Sequence, residues 1–386
     1  MSGVVVIGAG QAAAELAVSL REGGYRDPIR LVGEEPWLPY QRPPLSKKFL
    51  AERPATDTLY LRPASFWREK DVTIELGTAV AAIEREKRRI ALADGRAIEY
   101  ATLVLATGAR ARAFPLPGVE LAGVFSVRRI DDVQALRPAL DQARRVVIIG
   151  GGYIGLEVAA VIRGEKREVA VIEAEERVMQ RVTSPPVSAF YAKLHRERGV
   201  DLRLNAKLAA IEGDQRSTAV RLAGGEEIAA DLVLVATGAR ANDELAAGAG
   251  LAYADGILVD EFARTADPAV YAIGDCARFP SRRYGRRVRL ECVQNAFDQA
   301  KAAAAAILGK GEAYDPVPWF WSDQYEVKFQ SAGFSQGYDD AKVVGDPAAA
   351  RFSVEYRKAS RLIAIDAVND GRAYMTGRRR IAQETV

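Results

Sequence analysis

Two glycine clusters carry the clearest chemical signal in this chain: Gly8 and Gly10 in "VVVIGAGQAAAEL", and Gly150, Gly152 and Gly155 in "GGGYIGLE". The first glycine of such a set permits a tight turn. The second lets the backbone approach a pyrophosphate, and the third lets a helix pack closely on its strand. Ala13 takes the third place in the first set. An acid at the end of the following apolar run can accept hydrogen bonds from an adenosine ribose, and Glu34 and Glu173 stand in that position. Each set reads as a dinucleotide site. A doubled site suits one resident molecule and one visitor, and the natural pair is a resident FAD and a transient nicotinamide exchanging a hydride. That reaction requires alignment, a dry contact and suitable electrostatics rather than a formal acid or base.

The elements that must position these residues repeat as well. "VVVI" and "VVII" are short β-branched runs of the kind buried in parallel sheets. Helix formers follow each turn, and "IRLVGEE" and "EVAVIEAEE" supply the next strands. "LVLATGAR" at 103–110 returns as "LVLVATGAR" at 232–240. Before each lies a stretch of alternating strand-like segments with Asp-Gly or Gly-Gly turns, 74–100 and 202–230.

Composition narrows the chemistry. A net charge of +3 over 386 residues gives no bulk attraction to nucleic acid. No apolar run approaches a membrane span. Met1 and Ser2 lead almost directly into a strand, without a secretory leader, so a cytoplasmic setting is expected. Cys276 and Cys292 form no C-x-x-C pair, which excludes a disulfide framework and a cysteine-ligated cluster. His195 is the only histidine, which argues against histidine bases and multi-histidine metal sites, and no metal is expected.

"GAG" at 8, "PPLSK" at 43, "ATG" at 106, "GGGYIGLE" at 150, "RVTSPPVSAFY" at 181, "ATG" at 236, "YAIGDCA" at 271 and "WFWSDQY" at 319 occur in that order. The set resembles the FAD-dependent, NADH-using ferredoxin reductases, in particular the putidaredoxin reductase group. The resemblance implies an α/β fold with two Rossmann-like dinucleotide-binding domains, glutathione-reductase-like, plus a small α+β C-terminal domain. The FAD domain would comprise 1–110 and 241–316, the NAD domain 111–240 and the last domain 317–386.

The same resemblance implies residue roles. Lys47 would lie beside the flavin nitrogen that accepts the hydride, with Glu157 as its ionic partner. Glu34 would bind the FAD ribose, Asp275 the ribityl hydroxyls, and Val293 would line the ring. Val80 and Arg128 would flank FAD, and Trp319 and Trp321 would lie near the flavin and its edge. Ala12, Ile154, Arg181 and Gly238 are further expected cofactor contacts. Cys276 is expected as a small buried hydrophobe. The implied function is electron transfer from NADH through FAD to a small [2Fe–2S] ferredoxin serving a haem monooxygenase or a ring-hydroxylating dioxygenase. The alternatives are a rubredoxin reductase and an apoptosis-inducing-factor-like protein in which FAD and NADH control shape. Glu173 favours NADH over NADPH by repelling a 2′-phosphate, although Arg177 and Arg181 lie close enough in sequence to offset this. "RFPSRRYGRRVR" at 278–289 offers Arg282, Arg283 and Arg286 as a docking site for an acidic ferredoxin, with Lys328 as an extension. The helix after Tyr153 closes on Lys166 and Arg167, where relatives tend to have glycine.

Overall fold

The structure, a computed structural model, describes residues 3–384. Met1, Ser2, Thr385 and Val386 lie outside the described residues, and with them the expectation about a leader.

The β-branched run Val4–Ile7 forms the middle of a five-stranded parallel sheet and is almost wholly buried. Ile29–Val32 and then Val72–Glu75 lie on one side of it, Thr102–Leu105 and then Val270–Ala272 on the other. A second sheet repeats the order. Arg145–Ile149 is central, with Glu168–Ile172 and Asp201–Arg203 on one side and Leu232–Val235 and Val124–Phe125 on the other. Both faces of such a sheet are covered, so continuous apolar runs rather than alternating ones are stable there. The fifth strands differ in origin. That of the first sheet comes from residues 270–272, beyond every strand of the second, so the first sheet is assembled from two separated stretches of chain.

Each sheet carries a three-stranded antiparallel excursion, Val80–Glu84, Arg89–Leu92 and Ala97–Glu99 in one and Leu208–Glu212, Ala219–Leu222 and Glu227–Ala229 in the other. The two even share an irregularity near the start of the first strand, at Val80/Ala82 and Leu208/Ala210. Short strands Ala109–Ala111 and Ala239–Ala241 pair antiparallel and tie the two halves together. A five-stranded antiparallel sheet follows, in the order Trp319–Gln324, Val327–Gly333, Arg361–Val368, Arg351–Lys358, Asp340–Asp346. The helix Gly371–Gln383 packs on it through Tyr374 and Ile381.

Packing explains how the site is held. Leu45, Phe49 and Leu50, next to Lys47, are buried in one apolar cluster with Leu156 and Val158 of the second unit and Phe329 and Val354 of the C-terminal sheet. Each such side chain contributes about 1.5–3 kcal/mol by burial, so three distant stretches of chain are fixed against one another. At the end of the helix Tyr153–Gly164, Lys166 takes the left-handed conformation (φ 64°) that a glycine would adopt, and Arg167 donates to the Ala143 carbonyl, so the helix closes without glycine. Among the described residues no helix is long and apolar enough to cross a membrane.

Candidate active site

The first glycine turn opens a cleft of about 590 Å³. Gly8 adopts φ +113°, and a Cβ there would sit 2.2 Å from the Ala106 carbonyl oxygen, so only glycine fits. Gly10 faces open space, and the helix Gln11–Glu22 starts beside it with no acidic residue in its first turn. Its unpaired N–H groups and positive end suit a phosphate. Besides this turn the cleft is lined by Glu34, Lys47, Val80, Arg128, Asp275, Val293 and Trp321, with Ala12 in its wall.

The lining of the cleft includes an ion pair. Lys47 Nζ lies 2.8 Å from Glu157 Oε2, and the Glu157 side chain is only 1% exposed. Lys47 follows a short 3-10 turn, Pro43–Ser46, in which the two prolines fix the backbone. Glu157 comes from the helix that begins at the second glycine turn, and Ile154 of that helix lines the same cleft. Glu157 also accepts hydrogen bonds from Ser46 Oγ (2.5 Å) and Ser322 Oγ (2.6 Å). A buried carboxylate is costly unless it is paired and hydrogen-bonded, and here one cation and two hydroxyls meet it.

In the same lining, Arg128 Nη2 binds Asp275 Oδ2 at 2.5 Å and donates from Nε to the Ala109 carbonyl. The sequence placed both residues near a flavin but gave no sign that they pair. A further network was missed entirely. Arg42 donates to Glu35, to the Tyr40 hydroxyl and to the Arg128 carbonyl, and Tyr40 donates to Glu35. Burial pushes the Glu35 carboxyl up, but Arg42 and the bonds from Tyr40 and Arg42 pull it below the usual carboxylate range. Arg42 and Tyr40 stand just before "PPLSK", the one local signal that pointed to them.

The second turn mirrors the first. Gly150 has φ +108°, and a Cβ there would meet the Ala236 carbonyl at 2.5 Å. Gly152 faces open space, while a Cβ on Gly155 would strike the Gly150 carbonyl. Glu173 accepts from the Gly151 N–H at 2.7 Å and from the Glu175 N–H at 3.0 Å, so its carboxylate is held against the turn. Arg181 is exposed, and its guanidinium lies 3.7 Å from where a Gly238 Cβ would be.

The acids of the two units are not equivalent. Strand register places Gly33, not Glu34, opposite Glu173. Ala9 explains the offset, because its Cβ would lie 2.6 Å from a Cβ at position 33, whereas Gly151 leaves room for the Glu173 side chain. Glu34 is consequently more exposed and pairs with Arg129 at 3.0 Å.

Several expectations are revised. Trp319 does not line the cleft. It packs behind Trp321 (ring centroids 5.8 Å apart), against the apolar cluster that includes Leu362 and Ile365, and is covered by Arg378. Arg177 is committed to the Thr183 and Gln180 carbonyls and the Ser188 hydroxyl, whereas the exposed Arg181 has its guanidinium near Gly238. The arginines of 278–289 form a hairpin, Ala277–Ser281 with Arg286–Val288, outside the cleft lining. Arg283 donates from its guanidinium to the Ile381 carbonyl and from its backbone N–H to Asp315. Arg282 and Arg286 remain exposed, near Glu261 and Gln336. Cys276 is fully buried, and its thiol donates to backbone carbonyls. Cys292 lines the cleft, and burial pushes its thiol up to about 12. Among the described residues no cluster could hold a metal ion.

Comparison with known proteins agrees with this layout. Residues 2–300 match the family model of the pyridine nucleotide-disulphide oxidoreductases, and residues 319–386 match that of the reductase C-terminal domain. The chain is 44% identical to a ferredoxin–NAD(P)+ reductase of a Sphingomonas species over 379 residues, 97% of this chain and 92% of the relative. It is also 44% identical to the putidaredoxin reductase of Pseudomonas putida over 372 residues, 95% of this chain and 88% of the relative. The reductase in the crystal structure of the covalent putidaredoxin reductase–putidaredoxin complex superposes with a TM-score of 0.95 at 41% identity, covering 99% of this chain and 93% of that one.

Proposed function

This chain belongs to the pyridine nucleotide-disulphide oxidoreductase family, and we propose that it takes a hydride from NADH onto FAD and passes electrons singly to a small [2Fe–2S] ferredoxin that serves an oxygenase. The observation that carries this is the placement of Ile154 and Glu157. The helix rising from the second glycine turn sets both into the wall of the cleft that starts at the first turn. A molecule seated on one turn therefore meets a molecule seated on the other.

The family depends on FAD and NAD(P)H, and the residues present fit them. The Gly8–Gly10 turn and the start of the Gln11–Glu22 helix offer donors to a pyrophosphate. Arg42, Arg128 and Asp275 supply hydrogen-bonding groups along the cleft, and Val80, Val293 and Trp321 supply apolar wall. Bound there, FAD would supply two-electron acceptance and one-electron release.

The remaining work falls to the chain. Lys47 places a positive charge in the wall of the cleft, where it would stabilise negative charge developing on a reduced flavin. Glu157 holds that charge in place. Trp321 and Phe320 add apolar wall to the same cleft. Glu173 reads the NADH ribose, and Arg181, Gly150, Gly152, Gly155 and Gly238 surround that second site. The chain divides into an FAD domain of 1–110 and 241–316, an NAD domain of 111–240 and a C-terminal domain from 317. The setting is cytoplasmic. Docking of the ferredoxin is assigned to Arg282 and Arg286. Arg283 is removed from the docking set because its side chain is used inside the protein.

The test is turnover with NADH and ferricyanide. The purified protein is expected to be yellow and to reduce ferricyanide rapidly. A long-lived reduced complex that does not turn over would instead indicate a regulatory FAD- and NADH-binding protein. A stable colourless protein that takes up no FAD would overturn both readings.

A further inference from the structure

Glu157 is met from a third direction that the proposed reaction does not yet use. The strand Trp319–Gln324 alternates its side chains, so Trp321 reaches the cleft while Ser322 and Gln324 are fully buried. Ser322 Oγ lies 2.6 Å from Glu157 Oε1, and Gln324 Nε2 lies 3.3 Å from Ser322 Oγ. Gln324 Oε1 lies 2.9 Å from His195 Nε2, and the Tyr325 hydroxyl lies 3.3 Å from His195 Nδ1. His195 is 0% exposed. The only histidine, which the sequence left without a role, thus sits in a chain that leads to the ion pair.

The carboxylate sets the direction of every bond in this chain. An ionised Glu157 only accepts, so Ser322 donates its hydroxyl proton to it. Ser322 then accepts from the Gln324 amide, which turns the Gln324 carbonyl towards His195. His195 must donate from Nε2, and its Nδ1 accepts from Tyr325. This is a neutral imidazole, in keeping with burial, which pulls the His195 ring below its usual range despite the bond to Gln324. No rotation of a single member preserves the chain, so each member fixes its neighbour.

We propose that Ser322, aligned by Gln324 and His195, is a positioning residue for the reaction: it fixes the Glu157 carboxylate and, through it, the Lys47 ammonium at the cleft. The inference rests on the functional reading above. It assigns to the first strand of the C-terminal sheet a share in the geometry of the Lys47–Glu157 pair, beyond Trp321, which the strand presents to the cleft.

The test uses the FAD-loaded protein and two readouts. One is the rate at which an amine-reactive reagent labels Lys47, read by peptide mass spectrometry against the exposed Lys48 as internal reference, with no NADH present. The other is the stopped-flow rate of flavin reduction by NADH. Ser322→Ala is expected to speed Lys47 labelling several-fold and to slow flavin reduction about tenfold, the scale of losing one hydrogen bond to a charged group. Ser322→Thr, which keeps the hydroxyl, is expected to return both to within about twofold of the parent, which a loss of packing alone would not explain. In a Glu157→Gln background, Ser322→Ala should add little, since its route to Lys47 is already cut. Parent-like values in Ser322→Ala, or an undiminished effect in the Glu157→Gln background, overturn the proposal. If Ser322→Ala does not accumulate as folded flavoprotein, Ser322→Cys keeps the volume and weakens the donor, and parent-like values there overturn it equally. A parent flavin that NADH does not reduce sinks the functional reading instead, and the labelling experiment is independent of that outcome.

Discussion

Lys47 and Glu157 show how much a single pair can carry and how its parts separate. The lysine is reached by water at its rim, with 19% of its side chain exposed, while its partner is sealed at 1%. Replacing Lys47 with alanine should leave FAD bound through the distant glycine turn and slow hydride transfer on the order of 10²-fold, the usual loss when one preorganised charge or donor is removed. Stopped-flow reduction at the parental rate would remove Lys47 from the mechanism. At the second turn, both Glu173 oxygens are already anchored by backbone N–H groups, so the carboxylate cannot swing away from a 2′-phosphate. Two charges about 4 Å apart repel by roughly 4 kcal/mol at an effective dielectric near 20. NADH should therefore be strongly preferred to NADPH, and with Arg177 engaged elsewhere, Arg181 is the cation that opposes this among the arginines of 177–181. Equal kcat/KM for the two would show that Arg181 wins. The glycine turns were legible from sequence because a backbone that must take positive φ beside a carbonyl leaves only one residue type. The Gly33–Ala9 contact that displaces Glu34 was not legible, since it depends on the separation of two neighbouring strands.

At the level of elements, the "TSPP" segment before the helix Pro185–Glu197 meets the C-terminal sheet through a buried carboxyl. Thr183 and Tyr356 each donate to Asp366 at 2.5 Å, and the Tyr356 oxygen in turn takes the Ser184 hydroxyl proton across 2.8 Å. Burial pushes the Asp366 carboxyl up to about 6, against the pull of those two donors. Its value in the unfolded chain is near the ordinary 3.8, so between these limits the folded state holds more protons than the unfolded one. The contribution of this group to stability is thus fullest below the lower value and is lost as pH rises through about 6. The displacement is worth on the order of 3 kcal/mol. Asp366→Asn keeps an acceptor for both hydroxyls and removes the charge. Its melting temperature should exceed the parent's at pH 7.5, and the difference should shrink towards pH 5. A constant difference across that range would show that Asp366 does not titrate there. The sequence announced "RVTSPPVSAFY" as a unit without saying what it touches. Its partner lies some 180 residues away in the C-terminal sheet, and no local pattern encodes such a register. The same holds for Ser322, which follows Trp319-Phe320-Trp321 in sequence and whose partner is on another sheet's helix.

Across the whole molecule, the repeated sheets follow from doubled motifs that could be read directly, while the split of the first sheet was implied only by the family resemblance. What could not be read is which surface arginines are free. In the hairpin of 277–288, Arg287 is drawn to the Val259 carbonyl and Arg283 to that of Ile381, so the loop is partly fastened to the body. Exchanging Arg282 and Arg286 for glutamate should lower the association rate with an acidic ferredoxin about tenfold at low salt. The difference should fade as the screening length falls from ~10 Å at 0.1 M to ~3 Å at 1 M. Ferricyanide turnover should be unchanged, and equal ferredoxin rates at low salt would show the hairpin to be plain surface. The most direct measurement of the central claim is anaerobic mixing of the FAD-loaded protein with NADH and an oxidised [2Fe–2S] ferredoxin, while flavin and cluster absorbance are followed together. The account predicts that flavin bleaching is followed by reduction of about two ferredoxins per NADH, because a hydride brings two electrons and the cluster takes one. A flavin that NADH reduces and that then stays reduced beside oxidised ferredoxin would contradict it.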